Sequence, residues 1–559
     1  MVLVDNHTLV VASAPKLSQS PRNNAFSSDT TTLTTIEVSN PTNPRITDRQ
    51  HVHGSFMSIR RVDQSVRLVL RSWIGTPEGV QHHLPYEPNG RPLSAGETAA
   101  KLQGLYESNK AILKSLSASE LLQGTPTPRA HEGIRYANTP DPLPLFGANS
   151  ANCSNLYLPS VPPQDQTLTS VVTLDLGNKT INSELILAGA SIIYASKDHL
   201  FLAGTIWNGW STLKGTEQEP PAGASSSWTT IHQFDARQAD RTRYVASGTV
   251  PGNLLNQFSM DEHEGTLRLA LTESRYVDVP QTGRWGGWRP TDTVSNITTM
   301  KPEGSSLRII GKTPDLAPGE RIFSSRFDGN RGFIVTFRQV DPLFAIDLAD
   351  PTQPKVLGEL KIPGFSDYMQ FTDKDTLLTI GRDADPSTGQ ALGLKLSLFD
   401  VSDMTKPMEI HNHIIPNPGW ASSEASHDHK AFTYFAHTGH LAIPLSSYNW
   451  TPGNYRFDNK LALFSINKDT GIEPSGDMDL ADLTPKLSSE SINWIPSHLQ
   501  VKRSLFADDY VYAISSGGIK VASIANPSLA TKSLMLPCRV CSEWAAFWPS
   551  FGSGPRLFD

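Results

Sequence analysis

Short apolar runs alternate with polar turns along the whole chain, and one combination recurs. Ile36-Glu37-Val38-Ser39-Asn40-Pro41-Thr42-Asn43-Pro44 is matched by Ile346-Asp347-Leu348-Ala349-Asp350-Pro351-Thr352-Gln353-Pro354 and by Phe399-Asp400-Val401-Ser402-Asp403-Met404-Thr405-Lys406-Pro407. Ser523-Ile524-Ala525-Asn526-Pro527 is a shorter copy. Apolar and polar residues alternate as in a half-buried strand. Asp or Asn then accepts hydrogen bonds from the turn backbone, and Pro presets φ for the turn. The second Pro opens the next strand, where its missing N–H costs least. The motif ends strands and carries no chemistry.

Weaker copies are VVTLDLGN (171–178), TTIHQFDA (229–236), SNITTMKP (295–302) and LALFSINK (461–468). Each copy follows a polar turn and an apolar strand, as in SKDHLFLAG (196–204), FDGNRGFIVTF (327–337) and TDKDTLLTIG (372–381). The paired signatures number about eight, at a mean interval of about 70 residues that insertions inflate, and the tightest are near ~50. Repeats of this kind, each with an apolar face it cannot bury alone, predict an all-β fold. The expected architecture is a single β-propeller of about eight blades over 1–537, with seven as the alternative. The last copy ends near Pro537 without a clear fourth strand, and Val2 to Val4 precede the first copy. That suggests a strand exchange closing the ring.

Residues 76–150 interrupt the pattern between repeat units, the second and third signatures. Within them Glu97 to Leu122 reads as helix: Ser94 and Glu97 have capping-box spacing, as do Ser117 and Glu120. Leu102, Leu105, Tyr106, Ile112, Leu113 and Leu116 form an apolar stripe. The rest is Pro-rich loop. A second, shorter loop covers 205–228, and residues 538–559 form a separate tail.

Composition narrows the function classes. The 559 residues are 38% hydrophobic and 18% charged, with 40 Gly and 41 Pro, which suits many turns. The net charge of −7 leaves no broad basic footprint, so nucleic acid is not an expected partner. No apolar run is long enough for a transmembrane helix. MVLVDNHTLVVASAP lacks the basic leader and unbroken apolar core of a signal peptide and reads as strand, turn, strand. Three cysteines cannot make a dense disulfide framework. Cys538 and Cys541 form a C-x-x-C suited to a disulfide, with a metal site or redox pair as alternatives and Cys153 as a competing partner.

WTTIHQFDARQADRTRYVASGTVPGNLLNQFSMDEHEGTLRLALT (228–272), APGERIFSSRFDGNRGFIVTFRQVDPLFAIDLADPTQPKVLGELKIPGFSDYM (317–369) and CSNLYLPSVPPQDQTLTSVVTLDL (153–176) resemble a bacterial and archaeal family of secreted proteins. That family carries a β-propeller domain distantly related to WD40 repeats. The resemblance covers roughly 1–536. It implies export, to the cell envelope or beyond, and offers no catalytic motif to carry over. Family members usually have an upstream export signal, so the chain as written is expected to be N-terminally truncated.

Three groups of residues are candidates for chemistry. His411 with His413, and His427 with His429, are spaced as metal ligands, with Glu424 and Asp428 as further donors. The bland reading is that such residues bond to the turn backbone. Asp373, Asp375, Asp383 and Asp385 suggest calcium, but a full D-x-D-x-D-G loop is missing and turn-forming Asp is the better reading. The sequence requires no cofactor, and calcium or zinc would be the metal if one binds. Trp207 and Trp210, with Trp285 and Trp288 in GRWGGWRP, would line a mouth for glycan or protein, or else pack loops onto the ring. Trp544, Phe547 and Trp548 lie in the tail. No G-x-S-x-G, H-E-x-x-H, P-loop or dinucleotide motif is present. The expected function is therefore a non-enzymatic, extracytoplasmic binding or scaffold protein. The alternatives are a metal-assisted hydrolase or lyase and a structural envelope protein.

Overall fold

The computed structural model describes residues 1–13, 30–74, 76–81, 83–84, 93–116, 155–161, 166–178, 180–207, 223–277, 291–337, 341–385, 387–388, 390–415, 420–451, 454–480, 483 and 497–536. The chain divides into two compact units, Met1–Asp292 with Thr298–Gly311, and Thr293–Ile297 with Lys312–Asp559.

Both units are built from antiparallel meanders of four main strands; in the second meander Leu156–Tyr157 adds a short parallel strand beside Thr180–Ile186. In the first unit the first meander is Val2–Leu3, Thr8–Ser13, Thr30–Glu37 and Arg45–His53, and the second is Ser55–Val62, Ser65–Trp73, Thr167–Asp175 and Thr180–Ile186. The third is Ile192–Ala195, His199–Trp207, Ser227–Asp235 and Arg243–Pro251. The fourth opens with two short strands, Asn253–Leu254 and Met260–His263, both paired to Thr266–Tyr276, and continues with Thr291–Glu303 and Ser306–Lys312. A single parallel pair, Ser247 with Ser306, links the third and fourth into one sheet.

In the second unit the fifth meander is Arg321–Asp328, Arg331–Phe337, Asp341–Asp347 and Lys355–Ile362, and the sixth is Phe365–Phe371, Thr376–Ala384, Ala391–Asp400 and Met408–Ile415. The seventh opens with Trp420–Ser422 and Thr433–Phe435, both paired to His440–Thr451, and continues with Asn454–Asn467 and Gly471–Met478. The eighth is Arg503–Ala507, Tyr510–Ile514, Gly518–Ser523 and Asn526–Met535.

The middle strands are more deeply buried than their alternation suggests. Every residue of Thr167–Asp175 is buried. The sheets pack on both faces, so polar positions must be satisfied inside. Thr169 Oγ1 donates to Ala188 O at 2.7 Å, and Thr173 Oγ1 lies 2.8 Å from Thr242 Oγ1. The eighth meander's fourth strand, Asn526–Met535, is a solvated edge, whereas Arg243–Pro251 is paired on both sides and largely buried. Val69, Val171, Leu202 and Phe234 fill the space between the second and third meanders. Phe201, Ile231, Leu267 and Met300 fill that between the third and fourth. Phe333, Met369, Leu377 and Phe399 do the same between the fifth and sixth. Each large side chain buried in this way stabilises the packing by roughly 1.5–3 kcal/mol.

The repeated turn behaves as its sequence predicts. Thr42 N donates to Asn40 Oδ1 at 3.1 Å, and the Thr352 and Thr405 amides donate to Asp350 and Asp403 Oδ1 at 2.9 Å each. A second device was not read from the sequence. Gly252 (φ +92°) and Gly364 (φ +97°) carry the chain from one meander into the next. A Cβ on Gly252 would lie 2.6 Å from Thr272 O, and one on Gly364 would lie 2.2 Å from Arg382 O. Glycine alone fits both the conformation and the space.

Three expectations are corrected. Val2–Leu3 pairs with Thr8–Ser13 in its own sheet, and Asn526–Met535 is the eighth meander's own fourth strand, so neither unit borrows a strand to complete these sheets. The helix is Ala95–Ser115 rather than reaching Leu122; Leu116 is already extended (φ −87°, ψ 139°). Its capping box is formed, with the Ser94 amide 2.9 Å from Glu97 Oε2 and the Glu97 amide 3.3 Å from Ser94 Oγ. On its stripe Leu102, Tyr106 and Leu113 are exposed. Ser117 and Glu120 lie outside the described residues. The insertion also sits within a repeat unit rather than between two, because Ser65–Trp73 and Thr167–Asp175 are hydrogen-bonded neighbours in the second meander.

Candidate functional site

The second and third meanders form a half-open cavity of about 210 Å3. Strand alternation explains its lining. Val69 belongs to the core shared by these meanders, so Arg71 and Trp73 on the same strand face the same way. Across from them, Thr230 and His232 stand opposite Gly204 and Leu202 and share their face. The apolar core stops at Val69 and Leu202. Beyond it Arg71, Thr167, Gly204, Thr230 and His232 line open space, with Pro159 and Val161 from the chain returning out of the insertion. The space survives because Gly204 and Gly189 pass backbone to backbone: a Cβ on Gly204 would lie 2.3 Å from Gly189 O.

Two buried polar atoms here lack partners. His232 is 1% exposed, and burial pushes its pKa down to about 4, so the ring is neutral near pH 7. Its Nδ1 lies 2.5 Å from Ser247 Oγ, which accepts from Tyr244 Oη at 2.8 Å. Nε2 has no hydrogen-bond partner. Nor does Arg71 Nε; its guanidinium lies 5.1 Å from the Trp73 ring centroid. Among the described residues no Asp or Glu lines the cavity. Nothing in the sequence singled out these residues. The available signal was an arginine and a histidine inside strands that are otherwise filled by apolar and small polar side chains.

The residues read from sequence lie elsewhere. Trp207 ends the strand His199–Trp207 on the face of Phe201 and Ala203, away from the cavity, and is 59% exposed. Trp210, Trp285, Trp288, Cys153, Cys538 and Cys541 lie outside the described residues. His411 and His413 lie on one face of Met408–Ile415 and turn towards the seventh meander. His411 Nε2 is 3.0 Å from Lys468 O, and His413 packs edge-on to Phe464 at 5.5 Å, its protonation disfavoured by burial. His427 follows the short turn Glu424–Ser426, and His429 opens the next, His429–Ala431. Asp428 pairs with Arg503, and Glu424 Oε2 is 3.2 Å from Lys502 Nζ. Among the described residues no group of three or more His, Cys, Asp or Glu is placed to hold a metal ion. The Asp373 carboxylate accepts from the Asp375 amide at 2.8 Å, and Asp375 pairs with Arg331. Asp385 accepts from the Ser387 and Thr388 groups, which pull its pKa down to about 2.

In the second unit Asp367 is perturbed the other way. Burial pushes the Asp367 carboxyl up to about 6, against the lowering effects of the Ser426 hydroxyl, His427 and Arg382.

The profile of the β-propeller domain family matches residues 1–526. The chain belongs to this family. An uncharacterised protein of Archaeoglobus fulgidus is 28% identical over 418 residues, 61% of this chain and 62% of that protein. An uncharacterised protein of Methanocaldococcus jannaschii is 40% identical over 190 residues, 34% of this chain and 27% of that protein. The propeller chain thus spans less than two thirds of the length of either relative. Among solved structures, Sqt1 of Chaetomium thermophilum is 10% identical with a TM-score of 0.28, covering 62% of this chain and 85% of its own. An apocarotenoid oxygenase of Synechocystis is 14% identical with a TM-score of 0.25, covering 44% and 56%. At these scores neither bears on function.

Proposed function

We propose that this propeller is a non-enzymatic binding or scaffold protein acting outside the cytoplasm. It holds a protein or glycan ligand where the second-to-third-strand connections of the first unit emerge. One observation carries the reading. In the first unit those connections are residues 14–29, 74–166, 208–226 and 277–290; in the second they are only 338–340, 385–390, 452–453 and 515–517. Long connections on a rigid sheet scaffold are where binding residues concentrate. Three of them carry or adjoin the tryptophans Trp73, Trp207, Trp210, Trp285 and Trp288. The family resemblance supports export.

Glycan arrays and pull-downs from culture supernatant with the purified full chain test this. The expected result is a ligand whose capture falls when Trp73 or Trp207 is replaced by Ala and is unchanged by Lys361→Ala in the second unit. Turnover of a substrate that a chelator abolishes would overturn the non-enzymatic reading.

A further inference from the structure

The cavity between the second and third meanders has a definite polarity. Tyr244 Oη donates to Ser247 Oγ. Ser247 Oγ lies 2.5 Å from His232 Nδ1. In the tautomer that accepts the serine proton there, the neutral imidazole carries its own proton on Nε2, the atom left without a partner, and can donate it to a ligand. Arg71 adds a guanidinium whose Nε is buried and also without a partner. Among the described residues it has no carboxylate partner, and none of those that line the space is an acid. Two orphaned donors facing one cavity are costly unless something accepts from them. An anionic oxygen pair satisfies both, since a planar guanidinium matches a carboxylate edge.

The remaining lining sets the rest of the ligand. Thr167, Ser191 and Thr230 line the cavity alongside the Gly189 and Gly204 backbones. Such groups suit hydroxyls better than alkyl chains. Trp73 shares Arg71's face of the strand and is 44% exposed, offering a flat apolar surface at the edge. The pocket, about 210 Å3 and half open to solvent, takes one small ring in its interior and leaves a chain free to continue outward from its mouth.

We propose that this cavity binds a hydroxylated carboxylate of monosaccharide size, the chemistry of a uronic acid, either free or at the end of an acidic polysaccharide. The carboxylate sits on Arg71 and His232 Nε2, and the sugar ring lies against Trp73. The inference rests on the binding reading above and names the ligand class for one site on it.

The test is calorimetric titration of the full chain with D-glucuronate, D-glucose and sodium sulfate, followed by a short oligogalacturonide. Glucuronate is expected to bind while glucose and sulfate do not. Arg71→Gln should weaken it by roughly tenfold or more, and Arg71→Lys should weaken it less, because charge is kept while the fork is lost. Trp73→Ala should weaken glucuronate with little effect on fold; the melting temperature of each variant checks folding. Equal binding of sulfate, equal binding of glucose, or glucuronate affinity unchanged in a folded Arg71→Lys variant each overturns the proposal. Oligogalacturonide binding that glucuronate does not displace also overturns it, since the ligand then lies outside the cavity. Array ligands that depend on Trp73 or Trp207 but not on Arg71 would leave the wider binding reading standing while this assignment fell. Glucuronate binding with no array or pull-down ligand would do the reverse.

Discussion

His199 and Glu262 bind the third meander to the fourth: Nδ1 of the histidine lies 2.7 Å from Oε1 of the glutamate, and Ser196 donates to the other oxygen. Arg331 does the same job in the second unit, reaching Asp375 at 3.0 Å from an equivalent place at the start of a second strand. Both links span from one meander to the first hairpin of the next. The Glu262 hydrogen bond raises the pKa of His199. For Glu262, burial acts upwards but the bonds from His199 and Ser196 and the histidine charge prevail, so its pKa falls.

The pair therefore has a pH window. The raised histidine contributes stability that is full below about 6.5 and lost as pH rises through its folded value. The lowered glutamate contributes stability that is full above about 4.5 and lost as pH falls through its folded value. In a double-mutant cycle of His199→Ala and Glu262→Gln, the coupling should be about 1–2 kcal/mol near pH 6 and smaller at pH 9. Denaturant melts at both pH values measure it; additive single-mutant effects at pH 6 would rule the coupling out.

Gly364→Ala should destabilise the chain by about 2 kcal/mol or more, because the new Cβ meets Arg382 O and the backbone is left-handed. Gly304→Ala is the control: its φ is also positive, but nothing lies within 4 Å of its Cβ. Its cost should be clearly smaller in the same thermal melt. Equal losses would mean that conformation alone, not the close approach, sets the penalty.

His232 and Asp367 should pull the acid side of the stability curve in opposite directions. The histidine, lowered to about 4, contributes stability that is present above about 6.5 and lost as pH falls through 4. The carboxyl, raised to about 6, contributes stability that is present below about 3.8 and lost as pH rises through 6. Each is worth up to about 3 kcal/mol, so between pH 6.5 and 4 they largely cancel. Asp367→Asn should make the loss on acidification steeper and raise stability at pH 7. His232→Gln should make stability increase on acidification. Melting temperatures across this range decide it, and three parallel profiles would refute the pair.

Ser94→Ala should cost the helix Ala95–Ser115 about 1 kcal/mol, since it removes the side-chain acceptor of the Glu97 amide and the partner of the Glu97 carboxylate. Faster amide exchange in the first helical turn, with the sheets unchanged, is the readout.

Local chemistry was legible in the sequence, and chemistry made by distant segments was not. The Asn40, Asp350 and Asp403 turns and the Ser94 cap need only a few consecutive residues, and each formed as read. The helix end was misplaced because the apolar stripe continues through Leu116, while that residue's backbone is already extended. The crossing glycines stand in plain view in VPGN and IPGF, but their necessity comes from Thr272 and Arg382 carbonyls on another strand. Arg71 and His232 were invisible for the same reason. Each sits in an unremarkable strand, and only the packing of two meanders turns them towards a common space. The histidines chosen for their spacing, His411 and His413, do share a face, but that face packs on Phe464 and the Lys468 carbonyl.

The pairing of Trp73 with Thr167 also has a kinetic consequence. Elsewhere the two middle strands of a meander are joined by at most a few tens of residues, so their ladder forms from local encounters. Here the chain must close a loop running from 74 to 166 before the same ladder can zip. Loop-closure entropy grows only logarithmically, by about 0.6 kcal/mol per doubling, so the finished sheet loses little equilibrium stability. The search for that pairing is nonetheless the most non-local step within any one sheet, and non-local pairing slows folding. The second meander, and with it the Arg71 wall of the cavity, is thus the part of the first unit that assembles late.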